Sequence, residues 1–297
     1  MLGSPLPGLD DVEGAAAPRL GPVLVDAHVH LFPAGLFRAV WQWFEQHGWP
    51  IRYQLDADQV VSFLTARGVD HLVALHYAHR PGVAAGLNAF LADLCQRHSQ
   101  VTGLATVFPG EDGAAAILED GFGRGLRGVK LHAHVQCFDL ESAAADAVYA
   151  CCAANGMPLV MHAGREPKSP AYRCDPHVTC GVDKVARILR RHPRLRLCVP
   201  HLGADEFAPF QRLLEEHDNL WLDTTMALAE YLPGPRPPPL SQYRVDRMLY
   251  GSDFPQLPYA WDRELAKIAR LELSPPALAR LLSENAVDFF GIELGRA

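Results

Sequence analysis

Eight short apolar runs, separated by longer segments of helical periodicity, are the feature of this sequence that most limits its fold. This alternation predicts an α/β fold with a parallel sheet, and eight such units can close into a (β/α)8 TIM barrel. An open doubly wound sheet has the same alternation, but its first strand is usually followed by a glycine-rich turn, and here that position reads DAHVHLFP. We therefore predict the barrel. The predicted strands are residues 23–27, 71–75, 101–107, 128–132, 159–162, 195–200, 220–223 and 247–251.

The length fits one domain. The chain has 297 residues, 49% of them hydrophobic, which is enough to bury one large core, and we expect a single barrel domain over residues 21–297. Residues 1–20 are rich in Gly, Pro and Ala and lack periodicity, which predicts a loose N-terminal arm. Residues 34–51 form an aromatic insertion after the first strand, which is expected to roof the pocket, to pack in an interface or to pack in the core.

Composition excludes several classes of partner. The formal net charge is −7 and the arginines are scattered, so nucleic acid is not an expected partner. The sequence has no apolar run of about 18 residues and no signal-peptide pattern at its start, which predicts no membrane association. Seven cysteines, with Cys151 and Cys152 adjacent in a helical pattern, are typical of reduced thiols. We therefore expect a cytoplasmic protein whose partner is a small-molecule substrate.

The motif Asp26-Ala27-His28-Val29-His30 is the strongest indication of chemistry. Alternation along a strand would place His28 and His30 on one face at the strand's end, where two imidazoles can chelate one ion. Such a motif alone also occurs as buried or surface histidines. Ligand-type residues recur at the ends of later strands, as His162, His201 and Asp253. Because barrel active sites are built from the C-terminal ends of the strands, these side chains are expected to converge.

The sequence resembles the amidohydrolase superfamily, in particular the branch that includes aminocarboxymuconate-semialdehyde-decarboxylase-like enzymes. The matching segments run in order from Val25 to about Ile292 and read DAHVH, GVKLHAH, PLVMHAG, VPHLG, YGSDFP and ENAVDFFGI. The resemblance implies a distorted barrel with a catalytic metal, usually zinc. It implies that the metal is bound by His28, His30, His162 and Asp253, with Asp253 and His201 as catalytic residues.

Lys130 leaves the number of metals open. It shares strand parity with His132 and His134 in GVKLHAH, so if Lys130 faces inward, the two histidines do as well. Related enzymes with two metals use a carboxylated lysine as a bridge and the sixth-strand histidine as a ligand, parts that Lys130 and His201 would supply. The decarboxylase-like branch usually works with one metal. We expect one Zn²⁺, with Lys130 as a cation for a substrate carboxylate or carbonyl.

Three further residues are candidates for binding the substrate. Arg165 follows His162 by three residues, and its planar guanidinium suits a carboxylate, although a surface loop explains it as well. Tyr77 follows the second strand, where a pocket wall and a solvated turn are both consistent with it. His132 is a candidate because it shares the parity of Lys130.

These residues predict a metal-dependent hydrolase that uses activated water on an ester, lactone or amide carbonyl of a small acidic molecule. A non-oxidative decarboxylase or hydratase of the same branch would use the same ligands, so the motifs do not separate the two. A catalytically inactive binding barrel is the third hypothesis, and it is disfavoured because the ligands, the base and Lys130 are all present. The aromatic insertion is also compatible with a homodimer.

Overall fold

The computed structural model of the protein describes residues 8–165, 171–232 and 234–294. Strands and helices alternate along the chain, as the sequence predicts. The strands are β1 (Val25–His30), β2 (His71–Leu75), β3 (Val101–Gly103), β4 (Val129–His132), β5 (Leu159–His162), β6 (Leu197–Val199), β7 (Leu220–Asp223) and β8 (Met248–Leu249). The α-helices are α1 (Ala34–His47), α2 (Ala57–Thr65), α3 (Ala84–Arg97), α4 (Ala114–Gly123), α5 (Ala133–Gln136), α6 (Ala143–Asn155), α7 (Pro176–Thr179), α8 (Val182–Arg191), α9 (Phe207–Glu216), α10 (Arg263–Ile268), α11 (Pro275–Ala279) and α12 (Asn285–Phe290).

The strands close into a ring. They form two parallel groups, β1-β2-β3 and β4-β5-β6-β7-β8. Two further parallel bridges join the groups, one between Ala105 and Val129 and one between Val29 and Phe254. At the second junction, the backbone N–H of His30 donates to the carbonyl of Phe254 over 2.8 Å. Because both gaps are bridged, the predicted (β/α)8 barrel is confirmed.

A β-bulge in β1 distorts the barrel. The register of β1 against β2 shifts between Asp26 and Val29. Val25 and Ala27 pack in an apolar cluster with side chains from β2, β5, β6 and β8, which fills the barrel interior. His28 and His30, which have the opposite strand parity, also face the interior, where both contact a carboxylate. A bulge re-aims the following side chains, so one strand supplies both the apolar floor and the two histidines.

The C-terminal helix closes the bottom of the barrel. Ala286, Phe289 and Phe290 of α12 belong to the same apolar cluster as Val25 and Ala27. Burying these rings removes apolar surface from water, at about 25 cal/mol for each Å². The opposite end, where the strands have their C-termini, remains as the mouth of the barrel.

Five predicted strands differ in their bounds from the structure, and two of them, β4 (Val129–His132) and β6 (Leu197–Val199), are shorter than predicted. β1 continues through His30, beyond the predicted end, because its last residues pair with the segment that follows β8. β3 ends at Gly103, although the N–H groups of Leu104 and Ala105 still donate to the carbonyls of Ala74 and Gly128. The N–H of Thr106 then donates to Asn88 Oδ1 over 2.8 Å. β8 is also short, since the N–H of Tyr250 donates to the carbonyl of Leu281 over 2.9 Å.

The aromatic insertion contains α1, and residues 8–20 lie along the barrel. Within α1, Phe37 is fully buried and its ring stacks on Trp41 with centroids 5.5 Å apart, so one face of the helix packs in the core. The N–H of Gly14 donates to Asp262 Oδ2 over 2.9 Å. Residues 1–7 of the predicted arm lie outside the described residues. In the described part of the chain, no helix combines the length and the apolar character needed to cross a bilayer.

We predict that Asn285→Ala lowers the free energy of unfolding by about 2–4 kcal/mol, since each buried carbonyl that loses its donor costs about 1–3 kcal/mol. The Asn285 amide, 2% exposed, donates to the carbonyls of Val245 and Met248 over 2.6 and 2.8 Å. Urea denaturation measures the change. The control is Asn155→Ala, at an exposed helix end, for which we expect a loss below about 0.5 kcal/mol. Equal losses in the two variants would contradict the prediction.

Candidate metal centre

Three buried side chains meet at the mouth of the barrel. Single ligand atoms of His28, His30 and Asp253 all lie within 4.8 Å of one another. Asp253 follows β8, and its backbone N–H donates to the carbonyl of His28 over 2.9 Å, which holds the carboxylate against β1. Asp253 has a φ of 71°, a conformation that costs a non-glycine residue of the order of 1 kcal/mol or more. The backbone pairing between β1 and the segment after β8 therefore holds these three side chains together.

The separations within the group fit a divalent ion. Asp253 Oδ1 lies 3.1 Å from His30 Nε2 and 3.3 Å from His28 Nε2. At metal–ligand distances of about 2.1 Å, neighbouring ligand atoms lie about 3.0 Å apart in octahedral and about 3.4 Å apart in tetrahedral geometry. The two separations from Asp253 fall between these values, and the ligand atoms of the two histidines lie within 4.8 Å of each other. Two imidazoles and a carboxylate are a donor set that suits zinc and similar transition metals.

Asp223, at the end of β7, orients the first histidine. His28 Nδ1 donates to Asp223 Oδ2 over 2.8 Å, which fixes the tautomer and leaves the Nε2 lone pair for a metal. The other oxygen of the carboxylate, Oδ1, accepts from the backbone N–H of His201 over 3.0 Å. Sequence reasoning assigned no role to Asp223. The sequence does contain one indication of such a role, because Asp223 is a polar residue at the end of an otherwise apolar barrel strand.

Burial sets the charge state of the group. It lowers the pKa of His28 well below its ordinary value, with the charge of Lys130 as the next cause, and it lowers the pKa of His30. For Asp253, burial alone would raise the pKa, but the hydrogen bond with His30 and the electrostatic interactions with the neighbouring histidines outweigh it and leave the pKa below its ordinary value. Neutral imidazoles and an ionised carboxylate are the forms that bind metals.

His162, at the end of β5, lies beside this group of three without belonging to it. Its ring stacks on His132 with centroids 4.1 Å apart and lies 4.6 Å from the ring of His201. The His201 ring is in turn 5.8 Å from that of His28. The structure thus brings His28, His30 and Asp253 together, and it places His162, His132 and His201 along an adjoining wall.

Lys130 points at the centre from β4. The side chain is fully buried, and Nζ lies 3.5 Å from His28 Nε2. Burial lowers the pKa of Lys130 to about 8. Lys130 therefore faces inward. His134 lies beyond the strand, on α5, and it is also buried and borders the central cavity, with its ring 5.6 Å from that of His132 and 4.8 Å from that of His162.

The centre opens into a cavity of about 1510 Å³. Polar side chains line its inner end, including His30, His132, His162, His201 and Asp253. Two of the three substrate candidates also border it, namely Tyr77 and His132. Arg165 is not among the described residues that line the cavity, and its Nε lies 3.6 Å from Glu206 Oε1.

Comparison with known proteins identifies the family. The family model described as amidohydrolase matches residues 25–292. The chain belongs to the amidohydrolase family. The resemblance stated from the sequence motifs is thereby confirmed. A comparison with curated protein sequences gives no match.

Solved structures share the fold of this amidohydrolase at low identity. One is 5-carboxyvanillate decarboxylase from Novosphingobium aromaticivorans, complexed with manganese and 4-hydroxy-3-methoxy-5-nitrobenzoic acid (TM-score 0.65, 15% identity, 94% of this chain and 99% of that chain). Another is 2,6-dihydroxybenzoate decarboxylase from Rhizobium (TM-score 0.64, 15% identity, 91% and 98%). A third is a probable 2-pyrone-4,6-dicarboxylic acid hydrolase from Acinetobacter baumannii with citric acid bound (TM-score 0.57, 14% identity, 90% and 99%). At these identities, the likeness shows the fold alone.

We predict that Asp223→Asn weakens divalent-metal binding about 10- to 100-fold, the usual effect of losing a carboxylate behind a histidine ligand. Both oxygens of Asp223 accept from N–H groups. The asparagine amide has only one oxygen, so its NH₂ group would face one of the two donors and that hydrogen bond would be lost. Competition with a chelator for Zn²⁺ or Mn²⁺ measures the dissociation constant. Asp218→Asn, at an exposed position, is the control and should bind as the unmodified protein does. Unchanged affinity in Asp223→Asn would remove this role.

Proposed function

We propose that this amidohydrolase is a metal-dependent hydrolase that adds water to an ester, lactone or amide carbonyl. The observation that carries the proposal is the meeting of His28, His30 and Asp253, at separations that fit one ion, at the inner end of a large cavity. We propose His162 as a further ligand, since it lines the same cavity. One Zn²⁺ per chain is the proposed content, and the protein is proposed to be cytoplasmic.

Each side chain has a proposed part in the reaction. A divalent ion held here supplies Lewis acidity, which favours loss of a proton from water at neutral pH. Asp253 is ionised and accepts that proton, then passes it to the leaving group. His201 Nδ1 donates to the carbonyl of Thr225 over 2.9 Å, so Nε2 is the atom left for the substrate. We propose that this nitrogen lies beside the substrate oxygen that gains charge in the reaction.

Three residues around the centre have proposed roles in substrate binding. Lys130 is proposed to act as a buried cation that stabilises negative charge on a substrate carboxylate or carbonyl oxygen. Tyr77 and His132 border the cavity, with ring centroids 5.0 Å apart, and are proposed to contact the substrate beside the metal. Two metal equivalents per chain would instead favour a carboxylated Lys130 bridging to a second ion at His201.

Non-oxidative decarboxylation is the second candidate function. The specific observation in its favour is that four similar solved structures are named as decarboxylases, two of them with manganese bound. The same residues would serve it, because Lewis acidity and a buried proton carrier are needed in both reactions. The structure named as a probable hydrolase has the same fold.

We predict that Asp253→Asn lowers kcat about 10²- to 10⁴-fold, the range attributed to a positioned acid–base group. The amide is nearly the same size as the carboxylate, so the fold should be retained, as circular dichroism and thermal unfolding would show. Asp112→Asn, in an exposed turn, is the control and should leave kcat unchanged. Near-normal turnover by Asp253→Asn would exclude the proposed proton transfer.

We expect the product to carry one oxygen atom from the solvent. A hydrolase incorporates ¹⁸O from labelled water into the acid product, because water adds to the carbonyl carbon. Mass spectrometry of the product, with carbon dioxide measured in the same reaction, separates the two candidates. Release of carbon dioxide without ¹⁸O in the product would select the decarboxylase.

A further inference from the structure

The helix of the aromatic insertion has two apolar faces. One face packs in the core through Phe37 and Trp41, which lie four residues apart. The other face borders the cavity, and its residues recur at intervals of three and four, as expected for one side of a helix. These cavity-facing residues of α1 are Leu36, Ala39, Val40, Trp43, Phe44 and His47. Leu36 and Val40 of this stripe also pack against the core, whereas Trp43 and Phe44 are presented to the cavity.

The outer part of the cavity continues this apolar surface. Trp49 follows α1, with its ring centroid 4.9 Å from that of Phe44 and 6.3 Å from that of Tyr231. On another side, the ring of Trp43 stacks on Tyr172 with centroids 6.0 Å apart and planes 28° from parallel. Trp43, Phe44 and Trp49 are each only partly buried. Partly exposed aromatic rings around a concavity mark a binding surface for apolar groups.

The cavity is therefore polar at the metal centre and has an aromatic wall farther out, where charged side chains such as Arg173, Glu230 and Lys267 also border it. Histidines and Asp253 form the end at the metal centre, and the aromatic wall from α1 forms part of the outer end. Pockets of about 300–1000 Å³ hold drug-sized ligands, and this cavity of about 1510 Å³ is larger. A molecule with one ring and one carboxylate would occupy the polar end and leave the aromatic wall in contact with water.

We propose that the substrate carries a large apolar body, of at least two rings or an equivalent hydrocarbon group, which packs on the stripe of α1 while its carbonyl group reaches the metal centre. This inference rests on the proposed function, because that function places the reacting carbon beside Asp253. Trp43 is the proposed specificity-determining residue. It lies in the middle of the stripe, and its ring is large enough to cover one ring of a ligand.

The test compares two carboxylic acids as ligands of the metal-loaded protein. Isothermal titration calorimetry gives the dissociation constants of benzoate and of biphenyl-4-carboxylate. We expect the biphenyl acid to bind about 10- to 100-fold more tightly, because its second ring buries apolar area on the wall. Trp43→Ala should reduce this ratio about 5- to 10-fold while leaving benzoate affinity unchanged, and Trp43→Phe should retain most of the ratio.

The control is Trp41→Ala, which removes the same side chain from the core face of the same helix. Its ratio should equal that of the unmodified protein, with thermal unfolding used to confirm that the variant is folded. Equal affinities for the two acids, or a ratio that Trp43→Ala does not change, would overturn the inferred substrate class. Turnover of aryl acetates and naphthyl acetates is measured separately. An intact binding ratio without turnover would contradict hydrolysis and leave the substrate class standing.

Discussion

The pairing of β1 with the segment after β8 is the constraint on which the rest of the site depends. His30 and Phe254 share a backbone hydrogen bond, and the N–H of Asp253 donates to the carbonyl of His28. These bonds close the barrel at the same place where they bring a carboxylate to two histidines. Ring closure and assembly of the centre are therefore one structural event, so loss of this pairing would be expected to cost both the fold and the metal ligands.

Burial sets the protonation states of the side chains in the centre, and hydrogen bonds to Asp223 offset part of the cost of burying them. Buried polar groups are costly unless they are hydrogen-bonded, and Asp223 accepts bonds from both His28 and His201. The same bonds set the tautomer of His28 and hold the backbone of His201 beside it. A single carboxylate thus links a proposed metal ligand on β1 with a proposed catalytic residue after β6.

The aromatic insertion connects the fold to the choice of substrate. Helix α1 uses Phe37 and Trp41 to attach to the core, and this frees Trp43 on the opposite side to face the cavity. The sequence had left three roles open for this segment. The structure supports two of them together, core packing and a wall of the pocket. Both are possible because residues three or four positions apart lie on one side of a helix, so different sets of residues face different surroundings.

The sequence by itself determined the alternation of strands and helices and the family, because these follow from local periodicity and motifs. It also indicated His28, His30 and Asp253, through their positions at strand ends. Tertiary structure alone decided where β1 ends, the part of Asp223 and the size of the cavity. The bulge that aims both histidines inward forms against β2, and ligand separations of 3.1 and 3.3 Å depend on segments more than 200 residues apart. Local sequence cannot specify such distances, since they arise only when the ring of strands closes.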